Sequence, residues 1–179
     1  MIWIMRIKTV LIFAIFMIFS FTVFSQVEYR IKVESGFLKY NYLTIQIDPG
    51  PNSTWKGYNL KGDNGIDINL INGYIFGDKF FTGLGVGYLN FKGINGLSLF
   101  ADFEYLPLKT RLTPLLDIRL GYSHVWNQYE KGTGTAIFEL GGGLNYKLTE
   151  KSNIYLQYGY LMTQQSNLTP IRIGFRLKL

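Results

Sequence analysis

The chain has no cysteine and a single histidine, His124. Without a thiol there is no disulfide framework, no thiolate metal site, no cysteine nucleophile and no lipobox for a lipoprotein anchor. One imidazole cannot build a histidine metal cluster. Charged residues are sparse at 17%, and the formal net charge of +6 is modest and scattered, so nothing supports nucleic-acid binding. Beyond residue 25 the apolar runs are only a few residues long, too short for a transmembrane helix. Nor does any stretch sustain the 3.6-residue period of an amphipathic helix.

What the chain does have is aromatics, at 17%, and 20 glycines. Tyr and Trp favour membrane–water interfaces, and Gly suits strands that pack closely. The N-terminus reads as a targeting segment. Arg6 and Lys8 form a short basic region, and Val10–Phe19 is an apolar core. Val23 and Ser25 stand where a signal peptidase reads, which predicts a signal peptide over residues 1–25 cleaved after Ser25. The alternative is a retained anchor. The apolar run is short for a span of about 20 residues, and Ser20, Thr22 and Ser25 follow it.

The rest alternates with period two. In Ile171–Leu179, Ile171, Ile173, Phe175, Leu177 and Leu179 share one face, and Arg172, Gly174, Arg176 and Lys178 share the other. Leu116–Trp126 sets Leu116, Ile118, Leu120, Tyr122, His124 and Trp126 against Asp117, Arg119, Gly121 and Ser123. Leu97–Tyr105 places Ser98, Asp102 and Glu104 opposite an apolar row, and Ala136–Tyr146 does the same with Glu139, Gly141, Gly143 and Asn145. Ile154–Tyr160 and Phe81–Tyr88 alternate likewise, the latter with a glycine row. Ile66–Leu70 alternates and then slips near Ile71 and Asn72, which suggests a bulge. Tyr29–Ser35 begins well and passes through Gly36 toward Tyr40 and Tyr42. These make eight strands.

Short connections fall at Gly77–Lys79, Pro107–Pro114 and Thr149–Asn153. The other set covers Ile47–Asn64, Gly93–Asn95, Asn127–Gly134 and Thr163–Pro170. The expected fold is all-β: an eight-stranded antiparallel up-and-down transmembrane β-barrel over residues 26–179, with a polar filled lumen. An eight-stranded lumen is narrow and fills with side chains. Small residues and charges fit inside it, whereas bulky Leu, Ile, Phe and Tyr suit lipid outside. The candidate lumen charge network is Asp102, Glu104, Asp117, Arg119, Glu139, Arg172 and Arg176. If Leu106 faces Leu115 across the hairpin, Asp102 falls opposite Arg119. A soluble lipocalin-like barrel, with its apolar face inward, is the alternative architecture.

The mature chain resembles the small eight-stranded outer-membrane β-barrel proteins of Gram-negative bacteria over essentially its whole length. The most specific likeness is the C-terminus. Members of that family end in a signal read by the barrel-assembly machinery. Arg172-Ile-Gly174-Phe-Arg-Leu177-Lys-Leu179 follows its pattern, with Leu179 where the family usually has Phe. Gly85–Tyr88, Leu99–Phe103 and Asp117–Tyr122 also resemble family strands. The resemblance implies the outer membrane, both termini in the periplasm, the short turns periplasmic and the other loops extracellular. It also implies outer-membrane lipids, lipopolysaccharide and the assembly machinery as partners, with Lys56, Lys61, Lys92 and Lys131 near lipopolysaccharide phosphates or simply solvated.

Little in the chain points to chemistry. Some outer-membrane lipid A deacylases use a His-x-Ser arrangement, but here it reads His124-Val-Trp126, and Ser123 falls on the opposite face. His124 reads as an interfacial side chain between Tyr122 and Trp126. The carboxylates read as a salt-bridge network rather than an acid–base pair. Gly141–Gly143 lies mid-strand with no following helix or Lys-Ser/Thr, so it is not a phosphate loop. No cofactor is called for. The expectation is a non-enzymatic barrel with a structural or surface-interaction role through its extracellular loops, for which the ligand is unknown. A narrow porin or carrier of small or apolar solutes is the alternative, and a lipid A-modifying enzyme comes third.

Overall fold

Alternation on this scale can satisfy every backbone group only by closing the sheet, because an open edge in lipid would leave a row of unpaired N–H and C=O groups. The computed structural model describes residues 27–44, 60, 62–126 and 133–179. The leader, most of the longest loop (47–64) and the greater part of the 127–134 loop, with Lys56, Lys61 and Lys131, lie outside the described residues. Eight strands form: β1 (Val27–Leu43), β2 (Gly65–Phe76), β3 (Phe80–Phe91), β4 (Ile94–Tyr105), β5 (Leu112–Val125), β6 (Thr133–Lys147), β7 (Ser152–Thr163) and β8 (Ser166–Lys178). Each pairs antiparallel with its neighbours in sequence, and β1 closes on β8. The strands run 12 to 17 residues. A tilted transmembrane strand needs only about 9–11.

The outer face is apolar all the way round. Val33, Ile68, Val86, Leu99, Leu120, Leu140, Leu156 and Ile173 all stand exposed on it. A soluble monomer rarely shows so continuous an apolar surface, whereas lipid requires one. Aromatic residues gather at both rims. At the end carrying the termini, Tyr29 packs on Tyr74 with ring centroids 5.5 Å apart, and Phe80 stacks on Tyr105 at 4.7 Å. There, too, Arg111 lies 5.0 Å over the Tyr146 ring. At the opposite, loop end stand Tyr42, Tyr88, Tyr122 and Trp126. Two such girdles flanking an apolar band are the signature of a membrane barrel.

The inner face is apolar at the loop end, and below it charged and apolar side chains interleave toward the end carrying the termini. At the loop end Leu38, Leu60, Leu89, Phe91, Ile94, Val125 and Leu168 pack into one buried cluster. A second cluster, Ile71, Ile75, Phe81, Phe100, Leu106, Leu115 and Tyr155, is interleaved with the charges toward the terminal end. This second cluster explains the first departure from the sequence reading. β2 runs through Ile71 and Asn72 with unbroken register to both neighbours, Lys32↔Ile71 and Ile71↔Gly85. Ile71 points inward because the lumen has an apolar layer there, and Gly85 opposite leaves the room: a Cβ on it would sit 2.5 Å from the Phe100 ring. The irregularity lies instead in β1, where the register against β8 shifts between Tyr40 and Tyr42.

The second departure is the Thr163–Pro170 loop. It is a two-residue turn, Gln164 and Gln165, with φ of 48° and 51°. Ser166 to Pro170 continue β8 instead, pairing with β1 from Leu43 to Leu38. Their polar composition resembles a loop, but Ser166 and Asn167 are both buried, Ser166 on the lumen row beside Thr163 and Asn167 on the outward row beside Tyr42 and Met162. Pro170 has no N–H to donate, and the β7–β8 ladder skips its neighbourhood, resuming from Tyr158↔Ile171 to Leu161↔Leu168 in the same register. The Gly93–Asn95 connection is likewise shorter than its composition implies, a turn at Lys92 and Gly93 with φ of 44° and 94°.

Candidate functional site

The most organised chemistry in the molecule is the charged layer of the lumen. Period two turns alternate side chains of every strand inward, and closure brings them to a common axis. Asp102, Glu104, Asp117, Arg119, Glu139, Arg172 and Arg176 all face inward and are buried. They are joined there by Arg30, Lys32, Glu34 and Asp67. Among the described residues the buried set is therefore five cations and six carboxylates.

Glu34 is the hub. Arg119 donates to it through Nη2 at 2.9 Å and also through Nη1. Tyr155 Oη donates at 2.8 Å, Asn69 Nδ2 at 2.9 Å, and Arg172 Nε lies 3.6 Å away. The Arg119 guanidinium also bonds Asp102 Oδ1 from Nε at 2.9 Å and Gln157 Oε1 from Nη2 at 3.3 Å. Asp102 is its register partner across the β4–β5 pair. Arg172 bridges Asp67 at 2.8 Å and Glu139. Arg176 bonds Glu104 while lying 5.4 Å over the Phe81 ring and 5.5 Å over that of Tyr155.

Asp102, Glu104 and Asp117 bring carboxylate oxygens within 4.8 Å of one another, a spacing that suits a cation. The cation there is Lys32, whose ammonium donates to Asp102 Oδ2 at 2.5 Å and to Glu104. Asp117 is the least satisfied member. Its Oδ2 lies 3.3 Å from Arg119 Nε, and neither oxygen has a hydrogen-bond partner. Above this layer a void of about 20 Å³, lined by Asp67, Ser98, Arg119, Glu139 and Arg172, has room for about one water. The apolar cluster closes the lumen beyond it.

Parity alone would have found the residues that the sequence reading left out. Arg30, Lys32 and Glu34 alternate with Tyr29, Ile31 and Val33, and Asp67 alternates with Ile66 and Ile68, as in the clearer strands. Of the C-terminal residues, Arg172 and Gly174 face the lumen, whereas Leu177 and Leu179 face outward. A Cβ on Gly174 would come within 2.2 Å of the Tyr155 ring, so the glycine is what lets that phenol reach Glu34. His124 stands on the outer face, edge-on to Trp126 with centroids 5.1 Å apart. Ser123 faces the lumen, with its Oγ 2.6 Å from Thr163 Oγ1.

No family model matches the chain, and no curated protein matches it. Solved structures do. Neisserial surface protein A aligns with 87% of this chain and 100% of its own, with a TM-score of 0.60 at 14% identity. The N-terminal β-barrel domain of Pseudomonas aeruginosa OprF aligns over 86% and 100%, with a TM-score of 0.57 at 14% identity. A de novo designed transmembrane β-barrel aligns over 85% and 95%, with a TM-score of 0.50 at 16% identity. At these identities the likeness is one of fold: the chain has the architecture of the small eight-stranded outer-membrane β-barrels.

Proposed function

We propose that the protein is a non-enzymatic outer-membrane barrel, a rigid membrane-embedded support that presents its extracellular loops for surface interactions. In this reading residues 1–25 are removed on export and both termini face the periplasm. The barrel-assembly machinery reads Arg172, Gly174, Leu177 and Leu179, and outer-membrane lipids and lipopolysaccharide surround the apolar band. The observation that carries the proposal is the filled lumen: a charge network centred on Glu34, capped by a buried apolar cluster. A path for solutes would need hydrated space through that layer, and the layer has room for about one water.

Planar-bilayer recording tests the proposal. The expected result is no discrete conductance from the purified, folded barrel. Stable single-channel steps would favour the porin or carrier reading. Loss of an acyl chain from lipid A only when the protein is expressed, read by mass spectrometry, would favour an enzyme. Protease added to intact cells tests the orientation, with cleavage expected within 45–59 and not at the 148–151 turn.

A further inference from the structure

Among the described residues, the lumen is closed at the loop end and open at the end carrying the termini. At the end carrying the termini a cavity of about 300 Å³ opens beside the turns after β2, β4 and β6. Its inner wall includes Arg30, Arg176 and Ile75. The charge network lies directly above it and makes it a blind vestibule.

The wall of this vestibule is strongly cationic. Arg30, Lys109, Lys147, Lys151, Arg176 and Lys178 line it, against three carboxylates, Glu28, Asp78 and Glu150. Two of those carboxylates neutralise rim lysines: Glu150 bonds Lys147 at 2.7 Å, and Asp78 lies 3.7 Å from Lys109. The remaining one, Glu28, is shared between Arg30 and Lys178. The β1–β8 register sets Arg30 opposite Lys178 and diagonal to Arg176, so three cations converge on one side of the cavity.

A second observation concerns the guanidiniums. The Arg30 side chain is only 8% exposed, and Arg176 is 1% exposed. Each uses Nη2 on a glutamate, and each leaves Nε and Nη1 without a hydrogen-bond partner. Buried guanidinium N–H groups are costly when unmatched, and such donors are normally paired. Arg176 has aromatic faces against it in partial compensation. Arg30 has no such ring among the described residues.

We infer that the vestibule is a binding site for a compact oxyanion of the phosphate class, held by Arg30 and Lys178 with the buried charge of Arg176 behind them. Such an anion supplies several acceptor oxygens at once and neutralises the excess positive charge, and arginine matches it through charge-assisted hydrogen bonds. The phosphate belongs either to a soluble molecule or to a lipid headgroup at the rim. The inference holds whichever compartment this end faces, so it stands or falls separately from the proposed function.

The test is calorimetric titration of inorganic phosphate into the folded full-length barrel in a maltoside detergent, which carries no phosphate of its own. Saturable one-to-one binding is expected. Arg30→Gln/Lys178→Gln should weaken it by about tenfold or more, because two charge-assisted contacts are lost. Lys92→Gln, at the other end of the barrel, should leave it unchanged. Folding of each variant is checked by heat-modifiable migration. If the double variant does not fold, Lys178→Gln alone, at a half-exposed position, serves in its place. No saturable binding, or equal affinity in the vestibule variants, would overturn the inference. The source is assigned by repeating the titration in phosphatidylcholine vesicles with and without phosphatidic acid. Loss of the phosphate signal only with phosphatidic acid identifies the headgroup, and an unchanged signal identifies a soluble ligand.

Discussion

Replacing Asp102 with alanine removes the acceptor of two buried cations at once: Arg119 Nε at 2.9 Å and the Lys32 ammonium at 2.5 Å. Neither cation is released to water, since both side chains are no more than 2% exposed. Lys32 keeps Glu104, and Arg119 keeps Glu34, so the loss is partial for each. Breaking one partner out of a buried pair costs about 3–5 kcal/mol because an uncompensated charge remains. The Asp63–Lys92 pair makes the contrast. It is closer than many, at 2.6 Å, but Lys92 is 73% exposed, and such a pair is worth about 0–1 kcal/mol. Asp102→Ala should therefore lower the free energy of unfolding by about 3 kcal/mol or more, and Lys92→Ala by less than about 1 kcal/mol. Adding Arg119→Ala removes the stranded charge but also releases Glu34, which retains Tyr155, Asn69 and Arg172. The double variant should recover about 0.5–3 kcal/mol relative to the sum of the single effects. Reversible urea unfolding in lipid vesicles, followed by tryptophan fluorescence, measures all of these. Additive single and double effects would show that the two residues do not share one electrostatic unit.

Three further outcomes follow from the same geometry. Gly174→Ala forces a Cβ against the Tyr155 ring and should cost about 1–3 kcal/mol in the same assay, with Tyr155→Ala in the same chain relieving part of it; no rescue would remove the steric account. Gln165 occupies the left-handed region at φ 51° in a two-residue hairpin turn, so Gln165→Gly should raise the urea midpoint by the equivalent of about 1 kcal/mol, and a fall would contradict the turn assignment. A chain ending at Thr169 loses the β8 residues that pair with Arg30 to Leu38 of β1, and should give no heat-modifiable barrel; a normal one would show that closure does not need β8 beyond Thr169.

Much of this architecture is local, and so it was open to reading from the chain alone. A period of two states which side chains share a face, and the contrast between Leu, Val, Tyr on one row and Gly, Asp, Arg on the other states which face meets lipid. Asp102 opposite Arg119 was reachable too, because both lie on one hairpin, and register there propagates from a single turn. Local composition misled where a polar run was not a loop. Gln164 to Thr169 looks solvated, yet Ser166 and Asn167 are buried within paired strands, and only their pairing with β1 shows it. The slip expected at Ile71 failed for a related reason. An apolar residue on a polar row looks like a change of register until the opposite glycine and the Phe100 ring show that the lumen has an apolar layer.

The sequence by itself determined an all-β chain, its strand count, the inward and outward rows and the presence of charges on the inner one. The tertiary structure alone decided which of those charges meet. Lys32 on β1 bonds Asp102 and Glu104 on β4, and Glu34 on β1 holds Arg119 on β5, pairs that share no hairpin and no strand edge. Their meeting depends on strand tilt and stagger around the closed barrel, which are properties of all eight pairings together. The blind vestibule exists for the same reason, because its walls come from strands and turns that closure alone brings around one axis.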